Sequence, residues 1–161
     1  MNKQSEKSKL CILLAAVVIV AVGFFIVKGI SRKNIENVSA NELIIPKAEV
    51  SETAKFYPYK IGNIYMEVIA VKASDGTIRT ALNTCQICYN SGRGFYKQEG
   101  DELVCQNCGN RFRIEQVEKI KGGCNPVPIM KENKQENEES IIISGEFLAE
   151  SAEYFKKWKR Q

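Results

Sequence analysis

Five of the six cysteines lie in one stretch of the chain, residues 83–128, and their spacing is that of a thiolate metal site. Four of them form two pairs, each with two residues between its members and with sixteen residues between the pairs: Cys85, Cys88, Cys105 and Cys108. A Cys-x-x-Cys segment folds into a turn that directs both sulfur atoms to the same side, so two such turns can provide four ligands to one metal centre. The chain contains no histidine, and any transition-metal site must therefore be rich in thiolates.

The fifth cysteine of this stretch, Cys124, lies in the segment Lys-Gly-Gly-Cys-Asn-Pro at residues 121–126. The two glycines allow a flexible turn that brings the backbone close to a cofactor, and the proline stiffens the end of that turn. Gly109, directly after the second cysteine pair, similarly allows the backbone to close over a metal and to aim N–H groups at thiolates. Cys124 is a cluster ligand, a redox-active thiol or a buried cysteine, and the sequence leaves these three interpretations open.

The identity of the metal is not fixed by the spacing. Four thiolates suit Zn²⁺, a single iron ion or an iron–sulfur cluster. Spacing alone favours structural zinc, but a closed tetrahedral zinc site has no use for the fifth sulfur of Cys124. Two disulfides are a weaker alternative, because a disulfide within Cys-x-x-Cys is strained and five cysteines leave one unpaired.

An apolar segment precedes the cysteine-rich part. Residues 10–27 are apolar apart from Gly23, and a helix of that length extends about 27 Å, close to the ~30 Å hydrocarbon core of a bilayer. Basic residues follow instead of a cleavage site, so the sequence predicts an uncleaved single-pass anchor in the cell membrane. Basic residues on both sides leave its orientation undecided by charge, but an anchor before a cysteine-rich domain favours an extracytoplasmic domain.

The net charge of +4 is concentrated around that segment. Residues 1–33 contain six basic residues and one acidic residue (+5), whereas residues 34–161 contain 17 basic and 18 acidic residues (−1). The second part thus lacks the basic surface that nucleic acid requires, which argues against nucleic-acid binding. The absence of histidine excludes the usual hydrolase triads, and no glycine-rich phosphate loop precedes a helix. We therefore expect a non-catalytic electron-transfer or metal-binding protein.

The elements that must position the cysteines are mostly strands. Two runs rich in β-branched and aromatic residues flank Asp75-Gly76, which is typical of a tight hairpin, and the second run leads directly into Cys85. A second hairpin is predicted around Gly100, just before Cys105. Residues 145–160 carry an apolar stripe with helical period, which predicts an amphipathic helix packed on the domain. The alternative is that the basic end of this helix rests on the bilayer surface.

The predicted fold is therefore a single N-terminal transmembrane helix, a small mainly-β (α+β) domain with two Cys-x-x-Cys knuckles, and a C-terminal amphipathic helix. Zinc ribbons, rubredoxins and Rieske-type domains share the arrangement of two facing knuckles. The predicted boundaries are a basic N-terminus at 1–9, the anchor at 10–27, a tether at 28–50, the cysteine-rich metal domain at 51–130, a charged loop at 131–140, and a strand and helix at 141–161.

Several motifs around the cysteines resemble those of a known family. They are Cys85-x-x-Cys88-Tyr89, Gly94-Phe95-Tyr96-x-Gln98-x-Gly100-Asp101, Val104-Cys105-x-Asn107-Cys108-Gly109-x-Arg111-Phe112 and Lys121-Gly122-Gly123-Cys124-Asn125-Pro126. Together they resemble the membrane-anchored, iron–sulfur-containing proteins of bacterial iron-uptake operons. The resemblance covers roughly residues 56–129, about half of the chain. Its last motif is distinctive, since a generic zinc ribbon does not carry it.

This resemblance implies an iron–sulfur centre that passes electrons to, or handles iron with, a membrane iron-transport assembly. The assembly would comprise ABC-type permease, periplasmic iron-binding and thioredoxin-like components. The implied ligands are the four Cys-x-x-Cys cysteines, with Cys124 as a fifth or exchanging ligand. The residues expected around the cofactor are Asn83, Gly109, Gly122, Gly123 and Asn125. The chain departs from the family pattern at Asn83, where many members have an acidic residue, and in its single anchor, where many have several transmembrane helices.

Three functions are compatible with these residues. The first is a membrane-anchored iron–sulfur protein that acts in electron transfer or iron handling together with a redox partner. The second is a structural zinc ribbon that serves as an interaction module of a membrane transporter complex. The third is a thiol redox protein that uses Cys124 and one cysteine pair, although the βαβ pattern that usually accompanies such motifs is missing.

Overall fold

The computed structural model describes residues 41–160. The predicted basic N-terminus, the apolar segment 10–27 and most of the predicted tether lie outside the described residues. Within residues 41–160, none of the helices has the length and apolar character needed to span a bilayer. The strands of this part are β1 (Leu43–Pro46), β2 (Lys55–Ile61), β3 (Ile64–Lys72), β4 (Ile78–Cys85), β5 (Tyr96–Glu99), β6 (Glu102–Cys105), β7 (Arg111–Arg113), β8 (Pro126–Pro128), β9 (Lys134–Glu136) and β10 (Ser140–Ile143).

A four-stranded antiparallel sheet, in the order β2-β3-β4-β8, forms the centre of the domain. Strands β3 and β4 join through the predicted turn, where Gly76 adopts a φ of 79°, and pair in a register that places Val68 opposite Leu82. The inner parts of both strands are buried on both faces. Because side chains alternate along a strand, β3 and β4 contribute to two separate apolar cores.

The first core lies between this central sheet and a three-stranded sheet with the order β1-β10-β9. Helix α1 (Gly145–Ser151) and the 3₁₀ turn Ala152–Phe155 also pack there. The largest fully buried side chains of this core are Ile45, Met66, Leu82, Ile129, Ile141, Ile143 and Leu148. Burial of each such side chain contributes roughly 1.5–3 kcal/mol relative to exposure.

The second core lies on the opposite face and contains the cysteine module. It packs the central sheet against a second three-stranded sheet with the order β5-β6-β7. The predicted second hairpin is present as β5 and β6, joined at Gly100. The buried members of this core are Ala54, Ile69, Val71, Ala73, Ala81, Cys85, Tyr96, Leu103, Cys105, Phe112, Ile114 and Val117. The prediction of a small mainly-β domain with clustered cysteines is thus confirmed.

The C-terminal helix is shorter than predicted. Its α-helical part begins after the N-cap Ser144, whose hydroxyl accepts a hydrogen bond from the N–H of Phe147, and ends at Ser151. A 3₁₀ turn then continues to Phe155. Beyond it, the ring of Trp158 contacts domain side chains, with centroids 5.7 Å from Tyr65 and 6.1 Å from Phe95. The 3₁₀ turn and the contacts of Trp158 thus take the place of the last turns of the predicted helix.

Two segments that were expected to be irregular contain strands. Within the predicted tether, Leu43–Pro46 forms β1 and pairs with β10. Within the predicted charged loop, Lys134–Glu136 forms β9, and the side chain of Lys134 is only 3% exposed. Its ammonium group lies 2.8 Å from a carboxylate oxygen of Glu118, which compensates the burial of the charge. Local sequence could not reveal this partner, because it lies sixteen residues away in another segment.

Candidate metal centre

The first knuckle begins where β4 ends. The backbone N–H of Cys88 donates a hydrogen bond of 3.3 Å to the sulfur of Cys85, and the chain then forms a 3₁₀ turn at Tyr89–Ser91. Gly94 packs directly behind this knuckle: a Cβ atom at this position would lie 2.8 Å from the carbonyl carbon of Cys88. The carbonyl oxygen of Gly94 accepts a 2.7 Å hydrogen bond from the N–H of Cys85. A side chain at residue 94 would therefore push the knuckle away from β5.

The second knuckle begins where β6 ends, at Cys105. Gly109 closes it with a φ of 73°. Its N–H donates to the carbonyl oxygen of Cys105 at 2.9 Å, so the contact is to the backbone and differs from the expected contact to a thiolate. The side chain of Asn110 continues from this knuckle and donates to the carbonyl oxygen of Cys124 at 2.9 Å. The second knuckle is thereby joined to the segment that carries the fifth cysteine.

Strand β8 brings that fifth cysteine to the first knuckle. Pro126, the first residue of β8, pairs with Cys85 across a register irregularity in β4. The side chain of Gln86 forms hydrogen bonds to the loop before and after Cys124. Its amide oxygen accepts a 3.1 Å hydrogen bond from the N–H of Gly122, and its amide nitrogen donates to the carbonyl oxygen of Pro126 at 3.2 Å. Cys124 is held between these two contacts.

The five thiols converge in two overlapping groups. The sulfur atoms of Cys85, Cys88 and Cys105 lie within 4.8 Å of one another, and so do those of Cys88, Cys108 and Cys124. Cys88 belongs to both groups. The four Cys-x-x-Cys thiols do not form one group by this distance, whereas Cys124 does join two of them. All five are free thiols in this part of the chain.

The two groups differ in exposure to solvent. Cys85 and Cys105 are buried, Cys88 and Cys124 are half-buried, and Cys108 is exposed. The first group, which we call the inner triad (Cys85, Cys88 and Cys105), therefore lies against the second core. The second group, which we call the outer triad (Cys88, Cys108 and Cys124), faces the surface.

Tyr96 lies beneath the thiols and is fully buried. Its hydroxyl donates a 2.8 Å hydrogen bond to the carbonyl oxygen of Cys124. Burial opposes ionisation of the Cys85 thiol, but the Tyr96 hydroxyl and the backbone N–H groups of Cys88 and Ile87 outweigh it, so the pKa of Cys85 is below its usual value. Burial, followed by the neighbouring Cys85 sulfur, raises the pKa of Tyr96 itself and keeps its hydroxyl protonated.

The thiols restrict one another's ionisation. Burial raises the pKa of Cys105 to about 12. A hydrogen bond with Cys108, followed by burial, also raises the pKa of Cys124 to about 12. The pKa of Cys108 is lowered, chiefly by the backbone N–H of Asn110. Five adjacent sulfurs cannot all carry a negative charge unless a cation lies among them. A bound metal ion would provide that positive charge.

A family model for membrane iron–sulfur-containing proteins, described as FtrD-like, matches residues 37–155. The match includes all five clustered cysteines and nearly the whole described domain. The chain belongs to this FtrD-like family. The resemblance found in the sequence motifs is thus confirmed. No curated protein and no solved structure matches the chain.

The donor set of this FtrD-like domain fits the group that its family description names. A cluster of thiolates without histidine or carboxylate is typical of sites for iron–sulfur clusters and zinc. The five sulfurs exceed the four ligands of a closed tetrahedral zinc site, and they lie in two triads that share Cys88. The residues present are therefore compatible with an iron–sulfur cluster.

The other residues expected around a cofactor have defined positions. Asn83 is fully buried, and its amide oxygen accepts a 2.7 Å hydrogen bond from the N–H of Tyr96. The side-chain amide of Asn125 closes the preceding loop, because it donates a 2.6 Å hydrogen bond to the carbonyl oxygen of Gly122. Gly122 and Gly123 both have positive φ angles, 87° and 67°, which the tight loop requires.

Sequence reasoning did not identify Gln86, Tyr96 or Asn110 as parts of the site. The motif around Tyr96 was part of the family resemblance, but nothing in the local pattern indicated that its hydroxyl reaches Cys124. The contacts of Gln86 and Asn110 join segments that are separated by 14 residues or more. Only their spatial arrangement reveals them.

Proposed function

We propose that this protein holds an iron–sulfur cluster and transfers single electrons in a membrane iron-uptake system. The observation that carries the proposal is the convergence of five free thiols from three segments, in a chain that belongs to a family of membrane iron–sulfur-containing proteins. Its net basic charge lies in residues 1–33 and the cysteine-bearing part is nearly neutral, which also favours a metal-centred role over nucleic-acid binding.

The proposed ligands are the four Cys-x-x-Cys cysteines: Cys85, Cys88, Cys105 and Cys108. Cys124 is proposed as a fifth or exchanging ligand, because its sulfur lies in the outer triad. An iron–sulfur cluster supplies one-electron exchange when it is bound, at a potential that depends on hydrogen bonds to sulfur and on exposure. The chain's own residues determine both the hydrogen bonds to the sulfur atoms and the exposure of the site.

The buried side of the site protects and stabilises thiolates. Cys85 and Cys105 lie in the second core, where apolar neighbours exclude water. The Tyr96 hydroxyl and the N–H of Cys88 favour the ionised form of Cys85, which is the form that binds metal. On the opposite side, Cys108 is exposed, and we expect a redox partner to approach the site there.

The proposed location follows from the sequence together with the family. Residues 10–27 would anchor the chain in the cell membrane by a single pass, with the described domain on the extracytoplasmic side. The proposed partners are iron-transport components of the ABC-permease type and a redox protein. The family description as a membrane protein supports the anchoring part of this proposal.

A structural zinc site is the second candidate, because four thiolates in two knuckles are also the usual zinc ligand set. In that case the domain would serve as an interaction module of a membrane transporter complex. The fifth thiol in the outer triad speaks against a closed zinc site.

The experiment that distinguishes these functions is metal and spectral analysis of the full chain, purified anaerobically in mild detergent. Iron, acid-labile sulfide and a visible absorbance that dithionite bleaches would support the iron–sulfur proposal. Stoichiometric zinc without colour, even after attempted cluster reconstitution, would contradict it and support the zinc module. Cys105→Ser is expected to lose the colour, whereas Cys11→Ser, which changes the sixth cysteine, serves as the matched control and should keep it.

A further inference from the structure

A buried carboxylate lies on the same face of the central sheet as the thiols. Glu67 is 8% exposed and lies on β3 two residues before Ile69, which belongs to the second core. Side chains two residues apart on a strand point to the same face, so the carboxylate is directed towards the core that contains Cys85 and Cys105. A charge in such a position is costly unless it is paired and hydrogen-bonded.

The partners of Glu67 come from three different elements. The side-chain amide of Asn83, on the neighbouring strand β4, donates to Oε2 of Glu67 at 2.8 Å. Nη1 of Arg160 lies 2.9 Å from the same oxygen, although the N–H is not aligned for a hydrogen bond. The hydroxyl of Tyr65 donates to the other carboxylate oxygen at 3.3 Å. Among residues 41–160, the cation that pairs with this carboxylate is Arg160.

Asn83 connects this carboxylate to the thiols. Its amide nitrogen is bound by Glu67, and this fixes the direction of its amide oxygen, which accepts the N–H of Tyr96 at 2.7 Å. The hydroxyl at the far end of the Tyr96 side chain donates to the carbonyl oxygen of Cys124 at 2.8 Å. Glu67, Asn83 and the side chain of Tyr96 thus link Arg160 to Cys124 of the outer triad.

Arg160 is held in place by the residues before it, 156–159, which we call the C-terminal strap. The N–H of Lys159 donates to the carbonyl oxygen of Gly92 at 2.8 Å. The approach is so close that a Cβ atom at residue 92 would lie 2.2 Å from the carbonyl oxygen of Lys157. The guanidinium of Arg160 lies over the rings of Phe56 and Phe95, 4.4 Å and 5.7 Å from their centroids. A planar cation suits this stacked position.

We propose that Arg160, Glu67 and Asn83 are positioning residues of the metal centre: they fix Tyr96 beneath the thiols, and the Glu67–Arg160 charge pair tunes the potential of a bound redox metal. The part that concerns the potential rests on the function proposed above. The part that concerns thiol geometry holds for any metal that the thiols bind. The two parts are therefore tested with different measurements.

Removal of the positive member and removal of the negative member of the charge pair are expected to shift the reduction potential in opposite directions. Arg160→Met removes the cation and leaves a buried carboxylate near the site, so the reduced centre is disfavoured and the potential becomes more negative. Glu67→Gln preserves an acceptor for Asn83 but removes the negative charge, so the potential becomes more positive. Arg160→Lys retains the charge and should restore the potential towards that of the wild type. A loss of packing alone would not produce shifts of opposite sign.

The geometric part is measured on the full chain loaded with Co²⁺, whose absorption bands report the arrangement of thiolate ligands. Asn83→Ala is expected to change these bands, whereas Glu67→Gln should leave them unchanged. The rate of metal loss to a chromophoric chelator should increase in Asn83→Ala and in Arg160→Met. The increase should stay below the roughly 10- to 100-fold effect of removing a direct hydrogen-bond partner of a metal ligand, because both residues act through Tyr96. These measurements also apply if the purified protein contains zinc, in which case the iron–sulfur proposal fails independently.

The matched control is Arg79→Met. Arg79 is also an arginine paired with a carboxylate, 2.6 Å from Asp75, but this pair is at the turn end of the β3–β4 hairpin. It should leave the Co²⁺ bands, the rate of metal loss and the potential unchanged. The proposal is overturned if Arg160→Met and Asn83→Ala behave like Arg79→Met, or if all three variants accelerate metal loss equally. It is also overturned if an iron-loaded Glu67→Gln shifts the potential in the same direction as Arg160→Met.

Discussion

At the scale of single residues, the centre depends on one buried hydroxyl. Tyr96 belongs to the second core, and its hydroxyl donates a hydrogen bond to the carbonyl oxygen of Cys124. That carbonyl also accepts a hydrogen bond from Asn110, so removal of the Tyr96 hydroxyl would not leave it without a partner. The effect of such a change should therefore be modest on stability and larger on the thiolate.

Tyr96→Phe is expected to lower the free energy of unfolding by about 0.5–1.5 kcal/mol, the net contribution of a typical hydrogen bond. The change would also remove a hydroxyl that lowers the pKa of Cys85, so the metal should dissociate faster. Urea denaturation and chelator kinetics measure the two effects. Tyr59→Phe is the matched control, because its hydroxyl also donates to a backbone carbonyl, that of Asn41 at 2.7 Å, but not at the thiols. Equal rates of metal loss from both variants would contradict the role of Tyr96.

At the scale of elements, strand β9 is attached to the rest of the domain by a buried ion pair. Lys134 contacts Glu118 at 2.8 Å and the hydroxyl of Thr80 at 3.2 Å. Glu118 also accepts hydrogen bonds from the N–H and hydroxyl of Thr80, at 2.5 Å and 2.6 Å, and has a positive φ of 67°. The surrounding contacts maintain this unusual backbone conformation at the start of the segment that leads to Cys124.

Lys134→Met should destabilise the protein by roughly 3–5 kcal/mol, because it leaves the Glu118 carboxylate buried without its counter-ion. The free energy of unfolding in urea measures this loss. Lys47→Met provides the comparison: Lys47 lies 3.1 Å from Glu136 in a more exposed pair, and its loss should cost about 0–1 kcal/mol. A similar cost for both variants would show that the Lys134 pair is effectively solvated.

At the scale of the whole described domain, the central sheet separates two cores with different requirements. The first core, with Ile45, Leu82 and Leu148, contains none of the five clustered cysteines. The second core ends at the thiols, where Cys85 and Cys105 meet. A metal that binds only the folded thiol site stabilises the second core more than the first.

Removal of the metal by a chelator should therefore loosen the domain unevenly. Hydrogen exchange is expected to accelerate in β5, β6 and β7, while β1, β10 and the inner part of β3 remain protected. Mass spectrometry or NMR of the metal-loaded and metal-free protein measures this difference. Uniform acceleration over all strands would mean that the two cores unfold as one unit. Unchanged exchange would mean that the thiol site folds without metal.

The local pattern of the sequence determined the strands and turns that deliver the cysteines. Asp75-Gly76 forms the predicted hairpin, Cys85 and Cys105 follow strands as expected, and the motifs identified the family. These features depend on neighbours in the chain: turn chemistry, alternation of side chains and the two-residue spacing of each knuckle. They could be predicted because no distant partner is needed to specify them.

The tertiary structure alone decided which distant residues meet. It grouped Cys124 with Cys88 and Cys108, paired β1 with β10, buried Lys134, and connected Arg160 through Glu67 to the site. A charged residue in a polar segment is predicted to be solvent-exposed as long as its partner is unknown. An apolar patch before the domain is likewise predicted to be part of a tether as long as the strand that pairs with it is unknown. Long-range packing supplies these partners, because the free energy of a buried charge or a strand edge depends on what lies against it in space and not on its neighbours along the chain.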